Sequence, residues 1–140
     1  MERLLNIPDE DITYFKDEKT DKFGYKVIST KEIIIPPKYN WTLRKFSEGL
    51  AVVELNNKYG YIDKTGKQVI PLKYDNAQDF SEGLGAVTLN GKQGFVDKEG
   101  RIVIPIKYDY VREFWRGKVM VNLNGEQFYI DKNGNRICDV

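Results

Sequence analysis

The sequence predicts an all-β fold: tandem units of 34 residues, each a β-hairpin extended into a three-stranded meander. The units are expected to stack as a short solenoid-like array behind a degenerate N-terminal cap. Three observations predict this. Phe46, Phe80 and Phe114 recur at a step of 34 residues, and Gly49, Asp63 and Gly66 recur with them as Gly83, Asp97, Gly100 and as Gly117, Asp131, Gly134. Apolar residues alternate within each unit, as in Ala51, Val53 and Leu55, a two-residue period that belongs to strands. Turn chemistry punctuates the alternation at matching places.

The first strand of a unit is expected over 50–55, 84–89 and 118–123. Asn56-Asn57, Asn90-Gly91 and Asn124-Gly125 follow. Such pairs tolerate the positive φ of a type I′ turn, the tightest hairpin connection. A second strand returns over 59–63, 93–97 and 127–131. Asp63-Lys64-Thr65-Gly66 and its two copies then read as an Asx turn, with Gly in the left-handed position. A short third strand holds Val69-Ile70 and Val103-Ile104, ended by Pro71 and Pro105, which cannot donate to a ladder. The linker 74–80 has no clear period. One hairpin cannot bury its apolar face, whereas stacked units can. A partial propeller is the competing architecture, disfavoured because the units are short for four-stranded blades.

The domain organisation expected is a cap or partial repeat over 1–39, then repeats over 40–74, 75–108 and 109–140, all in one structural domain. Gly24-Tyr25-Lys26-Val27-Ile28 echoes the second strand, but Ser29-Thr30-Lys31-Glu32 replaces the Asp-Lys-x-Gly turn.

Phe46-Ser47-Glu48-Gly49-Leu50-Ala51-Val52, Tyr59-Gly60-Tyr61-Ile62-Asp63-Lys64-Thr65-Gly66-Lys67 and Val69-Ile70-Pro71 together resemble the WG-containing repeat, also called the KWG repeat. Phe80-Ser81-Glu82-Gly83-Leu84 and Gly94-Phe95-Val96-Asp97-Lys98-Glu99-Gly100 repeat the pattern, and the resemblance runs over about residues 35–137. The family's Trp-Gly pair stands here as Tyr59-Gly60, Gln93-Gly94 and Gln127-Phe128. The third unit carries Arg116-Gly117-Lys118 where the others have Glu-Gly-Leu. The resemblance implies a bacterial, β-rich interaction repeat and carries no reaction or catalytic residues.

Charge and composition narrow the function. Lys+Arg 22 nearly cancels Asp+Glu 21, so a net charge of +1 gives no global field to attract nucleic acid or an anionic membrane. His is absent, which removes the commonest general base and transition-metal ligand. No phosphate loop or zinc-spaced cluster is present, so no cofactor is expected. The N-terminal stretch has no apolar run suited to a signal peptide, and a cytoplasmic location is the expectation. Cys138 falls by register in the aliphatic slot of Ile70 and Ile104. It is expected to pack as a small hydrophobe, a reactive thiol beside Arg136 being the alternative.

Comparing the units isolates residues outside the shared core. Trp115 stands where Ser47 and Ser81 stand, and Tyr110 stands where Asn76 stands. Trp41 falls at a one-residue insertion before Leu43, the equivalent of Ala77 and Val111. Polar equivalents mark these slots as solvent-facing. Trp41, Arg44, Tyr110, Arg112, Trp115 and Arg116 therefore form the candidate protein-binding surface, since Arg beside Trp or Tyr is common interface chemistry. The structural alternative has Trp41 packing on the cap and Trp115 covering an edge. The expected function is a non-catalytic protein-binding or scaffolding module: an immunity protein, an antitoxin, an adaptor or a self-associating unit. A small-ligand or glycan receptor built on the exposed aromatics is the alternative. A carboxylate hydrolase is disfavoured, because each recurrent Asp already has a turn role.

Overall fold

The computed structural model describes residues 2–42 and 44–137; Leu43 and the Cys138 expectation lie outside the described residues. The fold is all-β, with four antiparallel sheets of tandem meanders. The chain divides into two compact units, Met1–Lys73 and Tyr74–Val140.

In the first unit a short helix α1 (Glu2–Leu5) and a 3₁₀ turn (Asp9–Asp11) precede the sheet β1 (Ile12–Lys16), β2 (Phe23–Val27), β3 (Ile33–Tyr39). The second sheet follows as β4 (Ala51–Leu55), β5 (Lys58–Ile62), β6 (Gln68–Tyr74). The second unit holds β7 (Asn76–Ala77), β8 (Gly85–Leu89), β9 (Lys92–Val96) and β10 (Ile102–Tyr108). Its other sheet is β11 (Tyr110–Val111), β12 (Lys118–Leu123), β13 (Glu126–Asp131) and β14 (Arg136–Ile137).

The hairpin turns obey the expected chemistry. Asn56 and Asn57 have φ 54° and 68°, Asn90 and Gly91 have 53° and 80°, and Asn124 and Gly125 have 53° and 88°. The Asp turns are built from one carboxylate oxygen. Oδ1 of Asp97 accepts from the backbone N–H groups of Glu99 at 2.9 Å and Arg101 at 3.0 Å, and Asp131 does the same with Asn133 and Asn135.

Three expectations change. Within the expected cap, residues 12–39 form a complete three-stranded meander rather than a fragment. Lys31, at φ 66°, takes the left-handed position, and Asp11 ties down Ser29 through the Ser29 N–H and hydroxyl. The third strand runs seven residues, straight through Pro71 and Pro105. It lies at the sheet edge and its register shifts between Ile104 and Tyr108, so the missing proline N–H costs no ladder bond. The linker also supplies a strand: β7 and β11 pair back on β8 and β12.

Alternation also has a different outcome from the half-buried strand it suggests. Ala51, Val52 and Val53 are all buried, so β4 is covered on both faces. In the first unit Ile12, Tyr25, Ile35, Phe46, Val53 and Ile62 share one core. In the second, Leu84, Ala86 and Phe95 of one sheet share a core with Phe114, Val119 and Val121 of the next.

Candidate functional site

The way one repeat receives the next sets the geometry of the site. In the second unit, Phe114 lays its ring edge-on to Phe95, centroids 4.8 Å apart at 68°, over Leu84 and Ala86. Polar bonds frame this seat. Ser81 Oγ donates to the Phe114 carbonyl at 2.8 Å, and Gln93 Oε1 accepts from the Val111 N–H at 2.7 Å. The Glu82 carboxylate accepts from the backbone N–H groups of Arg116 and Gly117, and Lys132 lies 3.5 Å from it. The Gly117 N–H, the Arg116 N–H and Lys132 together hold the Glu82 carboxyl below the usual carboxylate range against its partial desolvation.

Glu82 has φ 54°, a left-handed conformation that glutamate seldom adopts. The turn Ser81-Glu82-Gly83-Leu84 is a second tight turn, closed by reciprocal bonds between Ser81 and Leu84. Its strained residue carries the carboxylate that grips the following repeat.

The first unit uses the same device with different residues. Tyr25 meets Phe46 edge-on at 4.9 Å, and its hydroxyl donates to the Arg44 carbonyl at 2.7 Å. Asp9, in the 3₁₀ turn, takes the part of Glu82. Its carboxylate accepts from the Gly49 N–H at 3.2 Å and pairs with buried Lys64 at 2.9 Å. The Lys of the Asp-Lys-x-Gly turn is thus a reach-back cation.

The third repeat presents the equivalent seat with altered residues. Trp115 replaces Ser81, Arg116 replaces Glu82, Lys118 replaces Leu84, Met120 replaces Ala86 and Tyr129 replaces Phe95. A cavity of about 240 Å³ lies here, lined by Arg112, Glu113, Trp115, Lys118, Met120 and Tyr129 along with Val119. Trp115 is 61% exposed, and the Arg116 guanidinium lies over its ring at 4.5 Å. Lys118 Nζ lies 4.9 Å over the Tyr129 ring.

The six residues singled out from sequence therefore separate. Arg112 and Trp115 line the cavity, and Arg116 stacks on Trp115. Tyr110 is 52% exposed and pairs with Asn122 in β11, but does not line the cavity. Trp41 and Arg44 belong to the first unit. Trp41 bridges to Glu54, as Asn76 pairs with Thr88, and is half-buried with its ring 6.0 Å from Tyr59. Its neighbour Thr42 is fully buried and donates to the Val52 carbonyl. Thr42 thus fills the slot of Ala77 and Val111, and the one-residue insertion lies between Thr42 and Phe46 rather than at Trp41. Sequence reading missed Lys118, Met120 and Tyr129. The signal was present in the same comparison of repeats, where Leu, Ala and Phe are replaced.

The sequence pattern of the WG containing repeat matches residues 29–59, 59–92 and 94–126. The chain belongs to the WG-containing repeat family. The WG repeats at 59–92 and 94–126 each take the last two strands of one sheet and the first two of the next, so sequence repeat and sheet are out of phase. No curated relative matches the chain. No described helix is long and apolar enough to cross a membrane.

Proposed function

We propose that this WG-repeat protein is a non-catalytic protein-binding module, an adaptor, scaffold or immunity-type protein of the bacterial cytoplasm, and that the third repeat carries the binding face. The observation that supports this is Trp115, exposed, backed by Arg116 and set beside a cavity of aromatic, thioether and cationic side chains. Exposed aromatic and Arg groups around a pocket have the composition of an interface hot spot. The recurrent carboxylates Asp97, Asp131 and Glu82 are each engaged by backbone N–H donors, which favours structural over catalytic roles for them.

The test is affinity capture from source lysate with wild type and with the variant Trp115→Ser, Arg116→Glu, which returns both positions to the residues of the second repeat. The expected result is one near-stoichiometric partner, lost from a variant whose far-UV CD is unchanged. Capture that does not distinguish the two proteins overturns the assignment of the face. A small-ligand or glycan receptor is the second reading, favoured by Trp115 and Tyr129 lining one cavity. Saturable changes in Trp fluorescence with a sugar panel would support it instead.

A further inference from the structure

We infer that the cavity on the third repeat is a seat for a single aromatic side chain, a Phe flanked by carboxylates, on a segment of a partner protein. The inference rests on the binding-module reading and specifies the chemistry of the partner.

The second repeat shows what such a seat receives, since there Phe114 packs edge-on to Phe95 over Leu84 and Ala86. Tyr129 and Met120 occupy the positions of Phe95 and Ala86, so the floor remains apolar and can meet a ring in the same way. The volume suits one ring: a cavity of about 150 Å³ lined by apolar groups holds benzene, and this one is about 240 Å³.

The rim excludes a repeat-like occupant. At the second repeat the Glu82 carboxylate receives two backbone N–H donors of the incoming turn. At the third, Arg116 stands in that position, so the same turn would bring N–H dipoles against a guanidinium. Lys118 replaces Leu84 and Arg112 replaces Gln78, leaving Glu113 as the one anionic residue of the lining. The sign of the rim has reversed, and the occupant that complements it carries acceptors, with carboxylates beside the ring. A second copy of this chain offers no such group at the matching place of its first sheet: Pro8 lies four residues before Ile12, where Phe46 lies four before Leu50.

Met120 supplies the readout, because the chain holds only 2 Met. The full chain, labelled at its methionine methyls, is titrated with the acetylated peptide Asp-Glu-Phe-Asp-Glu-Gly, with its Phe→Ala form, and with a form whose acids are replaced by Gln and Asn. The expected result is saturable movement of the Met120 methyl and the Trp115 indole N–H by the first peptide. Binding of the Ala peptide should be weaker by roughly tenfold or more. The double variant Arg112→Glu, Lys118→Glu, both on solvent-facing positions, should lose the acidic peptide while keeping its CD spectrum. Equal binding of the Ala or amide peptide overturns the inference. So does a concentration-dependent dimer that shifts Met120 without peptide, since it would name a second copy as the occupant. Failure of the peptide while Trp115→Ser, Arg116→Glu still abolishes partner capture removes this inference alone. Failure of both removes the binding-module reading as well.

Discussion

Replacing Gly94 by Ala tests the close approach on which each full repeat depends. A Cβ built at Gly94 would lie 2.6 Å from the Ile104 carbonyl oxygen and 2.7 Å from that of Pro105. A carbon–oxygen contact is comfortable at about 3.3 Å, so β10 must withdraw from β9 by roughly 0.7 Å. Both obstacles are backbone, so no side chain can rotate aside. Overpacking of this kind costs about 1–3 kcal/mol. The unfolded-state gain that Ala normally brings offsets about 0.4–1 kcal/mol of it. The expected net loss is about 1–2 kcal/mol, read as a lower midpoint in urea unfolding followed by far-UV CD. The third repeat is the internal control. Phe128 holds the register of Gly94, and its ring packs against the core, 6.4 Å from Tyr108. Phe128→Gly should therefore also destabilise. An unchanged or raised midpoint for Gly94→Ala would refute the steric reasoning.

Other outcomes follow from the junctions. Asp9→Ala removes the counter-ion of the Lys64 ammonium, whose side chain is 8% exposed and which keeps the Ile7 carbonyl as an acceptor, and should cost about 1–3 kcal/mol; adding Lys64→Met should recover most of this, and additive effects in the double-mutant cycle would contradict the pairing. Glu82→Gln should destabilise at pH 7. Because the folded Glu82 pKa is depressed, its contribution is full above the unfolded value of about 4.3 and is lost as pH falls through the folded one. Wild type and Glu82→Gln should therefore differ in Tm at pH 7 and converge in acid, and a difference that persists there would point to packing instead. Gly91→Ala, at φ 80°, should cost about 1–2 kcal/mol by thermal unfolding, and Gly91→Asn much less, since Asn57 already adopts that conformation.

Legibility followed the range of the interaction. The Asn-Asn and Asn-Gly turns, the Asp-Lys-x-Gly turns and the strand alternation are local, and each was readable from a few consecutive residues. The strand through Pro71 and Pro105 was not, because its tolerance depends on lying at an edge and on Gly60 and Gly94 across the sheet. Asp9 gave no sign of its role either, since it stands outside the repeated pattern and meets Gly49 and Lys64 only through the fold. In the candidate site, Arg112, Trp115 and Arg116 stood out as departures from repeat identity. Lys118, Met120 and Tyr129 depart just as clearly, but their importance needed the knowledge that Leu84, Ala86 and Phe95 form a seat.

By itself the sequence determined the repeat, the two strands of its hairpin and its turns, and its membership of the WG-containing family. Those are properties of short segments whose backbone preferences and apolar alternation recur in register. Only the tertiary structure decided what each recurrent residue grips. Glu82 and Lys132, Phe95 and Phe114, and Ser81 and the Phe114 carbonyl meet across a junction between sheets, and their side chains carry no mark of that in sequence. The physical reason is that a turn is stabilised within a few residues of itself. A seat between repeats exists only when two separately formed sheets bring their faces together, and its chemistry is read from the pair.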